Sequence, residues 1–152
     1  MLPVPKKYFL TSGSSEGATE LTAFDGALLK AGIGNINLLK VSSILPPGAQ
    51  YCAELELPLG GLVPTAYGSI VSTEPGVTIA AAVAVGRTKD SIGVIMELVG
   101  KMSKDEAEEK IIKMVKESFK MREMELKDIS VSCVEHTVKK IGCAVAAVPM
   151  WF

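Results

Sequence analysis

Two adjacent serines, Ser42 and Ser43, end an apolar run and are followed by Ile44-Leu45-Pro46-Pro47-Gly48. A serine hydroxyl can attack the carbonyl that precedes it when the peptide is strained or tightly held. An N→O acyl shift at this position would convert the Ser42–Ser43 amide into an ester on the Ser43 hydroxyl. β-Elimination and loss of ammonia would then leave a pyruvoyl group at a new N-terminus. The prolines favour such a held peptide, because they restrict Leu45 and Pro46 and set the direction in which the chain leaves. A serine pair alone is common in loops, so its meaning depends on what surrounds it.

Two carboxylates stand out. Asp25 has Leu21 four residues before it and Leu28 and Leu29 just after, a spacing that predicts a place on the apolar face of a helix. A charge there needs a cation or several donors. Asp25 is therefore a candidate ligand for a positively charged substrate group, with an internal salt bridge or a helix-edge position as the alternatives. Glu97 lies in Ile92-Gly93-Val94-Ile95-Met96-Glu97-Leu98-Val99, which reads as a strand apolar on both faces. Burial would raise its pKa and suit it to act as a general acid; the alternative is a strand-end carboxylate paired with Lys101. Asn35 and Asn37 can polarise a carbonyl or shape a turn. Gly32-Ile33-Gly34 is no dinucleotide fingerprint, since it follows a helix and lacks the third glycine. His136, the single histidine, is assigned a structural role.

The elements that must position these groups are legible in outline. Lys7 to Thr11 reads as a strand, Ser12-Gly13-Ser14-Ser15-Glu16-Gly17 as a turn, and Thr19 to Ala31 as a helix closed by Gly32. Ile36 to Ser43 reads as a strand stopped by Pro46-Pro47-Gly48. Further strands are expected at 62–71, 78–85, 92–99, 129–135 and 143–148. The clearest helix runs from Lys104 to Lys127, with Ser103 and Glu106 as a capping box and Ala107, Ile111, Met114, Val115 and Ser118 on one face. Strands dominate and the two helices are far apart, which predicts one layered α+β domain over 1–152 with helices outside packed sheets.

Composition narrows the function. The 152 residues are 48% hydrophobic, ample for a core with apolar surface left over for an oligomer interface. Sixteen basic residues balance 17 acidic ones without a basic stripe, which argues against nucleic acid as a partner. No segment reads as a signal peptide, and the longest apolar run, 79–85, is too short to span a bilayer, so no membrane association is expected. Cys52, Cys133 and Cys143 show no CxxC spacing. They read as reduced thiols of a cytoplasmic protein, with neither a disulfide framework nor a metal site expected.

Taken together the chain resembles the pyruvoyl-dependent arginine decarboxylases. The likeness runs through Gly13-Ser14-Ser15-Glu16-Gly17, Ala23-Phe24-Asp25-Gly26-Ala27-Leu28-Leu29, Ala31-Gly32-Ile33-Gly34-Asn35 and Ser42-Ser43-Ile44. It continues in Leu62-Val63-Pro64-Thr65-Ala66-Tyr67-Gly68, Ile95-Met96-Glu97, Val134-Glu135-His136-Thr137-Val138 and Gly142-Cys143-Ala144.

The resemblance implies a four-layer αββα sandwich assembled as a homotrimer of αβ protomers, or a dimer of such trimers, with active sites between protomers. It implies cleavage between Ser42 and Ser43 into a β chain (1–42) and an α chain (43–152) headed by the covalent pyruvoyl cofactor. The substrate amine would form a Schiff base with that group, and L-arginine would be converted to agmatine and carbon dioxide. Glu97 would be the proton donor, and Asn37 would support processing and the carbonyl. Asp25 would face the guanidinium, with Gly34 and Ile36 also in the substrate site. Strand alternation puts Asn37 and Ser43 on one face, but six extended residues span roughly 20 Å. Either the strand bends sharply or Asn37 serves the Ser43 of a neighbouring protomer; the second is expected. The alternatives are the same chemistry on another cationic amino acid, or an unprocessed, non-catalytic paralogue.

Overall fold

The computed structural model describes residues 2–152. Ten strands and two helices follow in the order β1 (Lys7–Tyr8), β2 (Thr11–Glu16), α1 (Glu20–Lys30), β3 (Asn37–Lys40), β4 (Ile44–Leu45), β5 (Gln50–Tyr51), β6 (Leu62–Ser72), β7 (Thr78–Arg87), β8 (Gly93–Gly100), α2 (Lys104–Met121), β9 (Asp128–Thr137) and β10 (Gly142–Trp151).

Two strands organise everything else. β7 and β10 are almost continuously apolar and buried, as central strands covered on both faces must be. In β10 one set of alternate residues (Ala144, Ala146, Val148) meets Ile79, Ala81, Val83 and Val85 of β7 in a core between two sheets. The other set, Cys143, Val145 and Ala147, packs under α1 through Ala23, Ala27 and Leu28. The outward set of β7, Ala80, Ala82 and Ala84, packs under α2 through Ala107, Ile111, Val115 and Phe119. Small alanines let each helix lie close on its sheet.

The first sheet runs β3-β6-β10-β1-β5, with β2 beside β1 on the same edge of β10; the second runs β4-β8-β7-β9. The result is a single α+β domain with two sheets face to face and one helix backing each.

Local chemistry sets the element ends. Thr19 and Thr22 form a reciprocal cap at the start of α1. At its end Gly32 adopts φ 78°, and the Gly32 and Ile33 N–H groups donate to Leu29 and Leu28 carbonyls, a Schellman closure. Helix α2 stops at Met121, earlier than the expected Lys127, because the same closure forms there. Glu123 turns to φ 55°, and Glu123 and Met124 N–H donate to Lys120 and Phe119. The Ser103 hydroxyl accepts from the Glu106 N–H, while the Glu106 side chain pairs with Lys110 instead of completing a capping box.

Three local expectations need correction. The segment 12–17 is mostly strand β2, since Thr11 to Glu16 pairs with Ala147 to Gly142. Its Gly13 is required because α1 lies on it: a Cβ there would stand 2.6 Å from the Ala27 oxygen. The run 36–43 is strand only over Asn37–Lys40, since the chain leaves the first sheet after Lys40 and next pairs, at Ile44–Leu45, in the second. Finally, Asp25 does not lie on the buried face of α1. That face is Ala23, Ala27, Leu28 and Ala31; Asp25 is exposed, flanked by Leu21 and Leu29, which are 74% and 54% exposed.

Candidate active site

The Ser42–Ser43 peptide sits where the main chain changes sheets. Before it, Val41 N–H donates to the Thr65 carbonyl of β6 at 3.1 Å, continuing the β3–β6 ladder. After it, the Ser43 carbonyl accepts from Ile95 N–H of β8 at 2.8 Å, extending the β4–β8 ladder. The peptide is thus anchored to a different sheet on each side. The exit is fixed by Pro46-Pro47-Gly48-Ala49, in which Ala49 N–H donates to the Pro46 carbonyl and Gly48 takes φ 77°. Proline second and a positive-φ glycine third is the pattern of a type II turn.

Glu97 stands on β8, the strand that receives the chain after this crossing. The pairing of Ser43 with Ile95 puts Glu97 two residues further along β8 on the same face, the diagonal position that long side chains span. Its side chain is 32% exposed. Across the sheet it faces Val83 of β7, and from the first sheet Gly68 of β6 approaches it, so that a Cβ on Gly68 would lie 3.6 Å from the Glu97 Cβ. Burial pushes the Glu97 carboxyl above its ordinary value, and the Lys40 charge opposes that rise. Lys40 Nζ stands 3.9 Å from Glu97 Oε1 and 4.8 Å from the centre of the Tyr67 ring. The strand-end alternative does not hold, because Lys101 pairs with Glu74 at 3.1 Å. Beside the crossing opens an apolar groove of about 420 Å³, lined by Leu39, Val41, Ser42, Ile44 and Pro46 among others.

Gly34, Asn35 and Ile36 lie elsewhere, after α1. With Leu29, Leu55 and Leu57 they line a small cavity of about 200 Å³, and Asp25 lies one turn back along the helix. The Asn37 amide donates to the Gly60 carbonyl at 3.0 Å, and the Asn35 carbonyl accepts from Gly60 N–H. Asn37 pairs with Leu62 while Val41 bonds Thr65, so β3 holds them about 13 Å apart and the chain then turns away into the other sheet. One chain therefore carries two separate groups of candidate residues, Ser42, Ser43 and Glu97 at the crossing, and Asp25, Gly34, Ile36 and Asn37 around the end of α1.

His136 has a structural partner. Its Nε2 lies 2.6 Å from Glu16 Oε2, and Glu16 Oε1 accepts from Lys140 and Ile141 N–H. Burial pushes the Glu16 carboxyl up, but His136 and the backbone donors outweigh it and hold its pKa at about 2. Lys40, Tyr67 and Gly68 were not singled out from the sequence. A signal existed for Lys40, the single charged residue between Lys30 and Glu54. Among the described residues no cluster of three or more His, Cys, Asp or Glu is placed to hold a metal ion, and no helix is long and apolar enough to cross a membrane.

A two-sheet α+β domain whose backbone crosses between sheets at a serine pair, with a half-buried carboxylate beside it, has the parts of a self-processing enzyme. The pyruvoyl-dependent arginine decarboxylase family profile matches residues 7–152. The chain is 54% identical over 151 residues to a pyruvoyl-dependent arginine decarboxylase of Methanocaldococcus jannaschii, covering 98% of this chain and 92% of that protein. Proteins of the same description from Pyrococcus abyssi and Thermococcus kodakarensis are 49% and 45% identical, each aligned over 97% of this chain and 96% of the relative. The chain belongs to the pyruvoyl-dependent arginine decarboxylase family.

Proposed function

We propose that this chain cuts itself between Ser42 and Ser43 and then decarboxylates L-arginine to agmatine and carbon dioxide. The observation that carries the reading is the anchoring of the Ser42–Ser43 peptide between two sheets in a chain that matches the family over nearly its whole length. With both flanks held, little is left free but the bond between them, which favours attack of Ser43 Oγ on the Ser42 carbonyl carbon. The C–N bond breaks as the ester forms. Loss of the Ser43 α-proton and cleavage of the Cβ–Oγ bond then release Ser42 as a carboxylate and leave dehydroalanine. Its imine tautomer takes up water and expels ammonia. Residue 43 fits the resulting group, since its carbonyl stays pinned to Ile95 and its side chain shares a face with Glu97.

The group supplies an electron sink for loss of the substrate carboxylate. Glu97, whose half-buried position favours the protonated form, delivers its proton from a carboxyl oxygen to the substrate α-carbon. Asp25 accepts two parallel hydrogen bonds from the guanidinium, with Gly34 and Ile36 shaping the site around the side chain. Because β3 separates Asn37 from Ser43, Asn37 polarises the Ser42 carbonyl of a neighbouring protomer. Each protomer is a four-layer αββα sandwich, and the protomers assemble as a trimer, or a dimer of trimers, working in the cytoplasm. The apolar side chains left exposed on α1 (Leu21, Leu29) and near the crossing (Leu39, Leu62) support such an assembly.

Incubation of processed protein with arginine, ornithine and lysine tests the substrate. Agmatine from arginine, with little amine from the other two, is expected. Processed protein that yields no agmatine refutes the arginine assignment, and a different amine redirects it.

A further inference from the structure

Lys40 carries the last side chain of β3, two residues before the crossing, and takes no part in the chemistry described above. Its ammonium occupies a defined place, 4.8 Å above the centre of the Tyr67 ring and 3.9 Å from Glu97 Oε1. The first distance lies within the range of a cation–π contact. The second is too long for a direct hydrogen bond and suits an attraction between charges. Three strands meet here: β3 and β6 from the first sheet supply Lys40 and Tyr67, and β8 of the second supplies Glu97.

Nothing else charged faces Glu97 from the elements packed around it, among the described residues. β7 presents Val83, β6 presents Gly68, β4 contributes Ile44 and Leu45, and the inward residues of β10 are apolar. Helix α2 packs on the opposite face of β8.

We propose that Lys40, seated on the Tyr67 ring, is the positioning residue of the Glu97 carboxyl and governs the pH at which that carboxyl carries its proton. The inference rests on the reading of Glu97 as the acid of the site. A positive charge at this distance favours the carboxylate, whereas burial favours the acid, and both influences act on Glu97 in those directions. Lys40 is 56% exposed, so its pull is partly screened by water and moderates the effect of burial without cancelling it. The two influences together leave the carboxyl with enough proton affinity to be reloaded after each turnover, without holding its proton too tightly to deliver it. Lys40 also lies on the N-terminal side of the Ser42–Ser43 bond and Glu97 on the C-terminal side, so the contact would bridge the two pieces after cleavage.

The test reads the carboxyl itself. In full-length Ser43→Ala protein, which cannot form the pyruvoyl group, the side-chain carboxyl of Glu97 is titrated by carbon-13 NMR. Adding Lys40→Met is expected to raise its midpoint by about one pH unit. Lys40→Arg should leave the midpoint near its original value, and Tyr67→Leu should move it part of the way. An unchanged midpoint in Lys40→Met overturns the proposal; if that variant does not fold, an unchanged midpoint in Tyr67→Leu does so. In processed protein the alkaline limb of kcat should move upward by the same amount, because activity that needs the protonated acid is lost as pH rises through its pKa. A midpoint that moves while the limb stays still upholds the Lys40 role and refutes Glu97 as the acid.

Discussion

At the β2/β9 edge of the sandwich, side chains close the gap between sheets: Glu16 reaches His136 and Ser12 meets Ser132 at 2.9 Å. At the opposite edge, β3/β4, the main chain itself makes the crossing through Ser42 and Ser43. A side-chain bridge can open and close with pH, whereas a main-chain bridge is broken once. If the chain is cut at Ser42–Ser43, the N-terminal piece keeps β1, β2, α1 and β3, all in or on the first sheet. It then holds to the second sheet through the core, through Lys40 with Glu97, and through the polar closure of the far edge. The edge that would break is the one with a carboxylate beside it, and the edge that would persist carries the more strongly hydrogen-bonded acid.

The largest break in this comparison comes from Ser43→Ala. Without the hydroxyl neither the acyl shift nor the elimination can occur, so the protein should stay full length by gel and make no agmatine above background. Ser43→Ala protein that still cuts at that bond would remove the basis for the two-edge contrast.

Glu97→Gln should act later. The variant is expected to cut, because the flanking ladders are intact, but to decarboxylate about a hundredfold more slowly in single-turnover assays. Full activity in this variant would assign the proton to another group.

A smaller effect separates the edges by pH. The Glu16 carboxyl is held at about 2 against an ordinary 4.5. Its contribution to stability is therefore complete above about pH 4.5 and fades as pH falls toward 2. Glu16→Gln should lower stability at neutral pH by about 1–2 kcal/mol, and the gap from the parent protein should close on acidification. Thermal melts from pH 7 to pH 3 would measure it, and a gap independent of pH would mean that the carboxylate charge is not what ties the edge. The smallest expected effect is that of Glu109→Ala. Glu109 forms an exposed helical pair with Lys113 on the charged face of α2, and its loss should change stability by about 0.5 kcal/mol or less.

What could be read in advance follows from which signals are local. β7, β8 and β10 are apolar runs that only a buried strand accommodates, and α2 carries a regular apolar stripe, so both kinds of element were expected. β2 was hidden because Ser12-Gly13-Ser14-Ser15 has turn composition; its strand character comes from pairing with β10 and from the close approach of α1 to Gly13. The buried face of α1 is hard to read because the large side chains Leu21 and Leu29 outweigh alanine in any periodicity argument. Here the alanines make the close contact with the sheet, and the leucines remain on the surface with Asp25. The crossing at Ser43 is not legible in the sequence, since nothing local says that Ile44 joins a different sheet. Lys40 and Tyr67 escaped notice because their relation to Glu97 joins three strands distant in sequence.

The central claim is that the bond between Ser42 and Ser43 is broken by the chain itself. Intact-mass analysis of freshly purified protein tests it most directly. The account predicts two fragments meeting between residues 42 and 43, the larger blocked to N-terminal sequencing, whose masses sum to the uncut chain plus water minus ammonia. A single full-length mass after prolonged incubation of folded protein would contradict it.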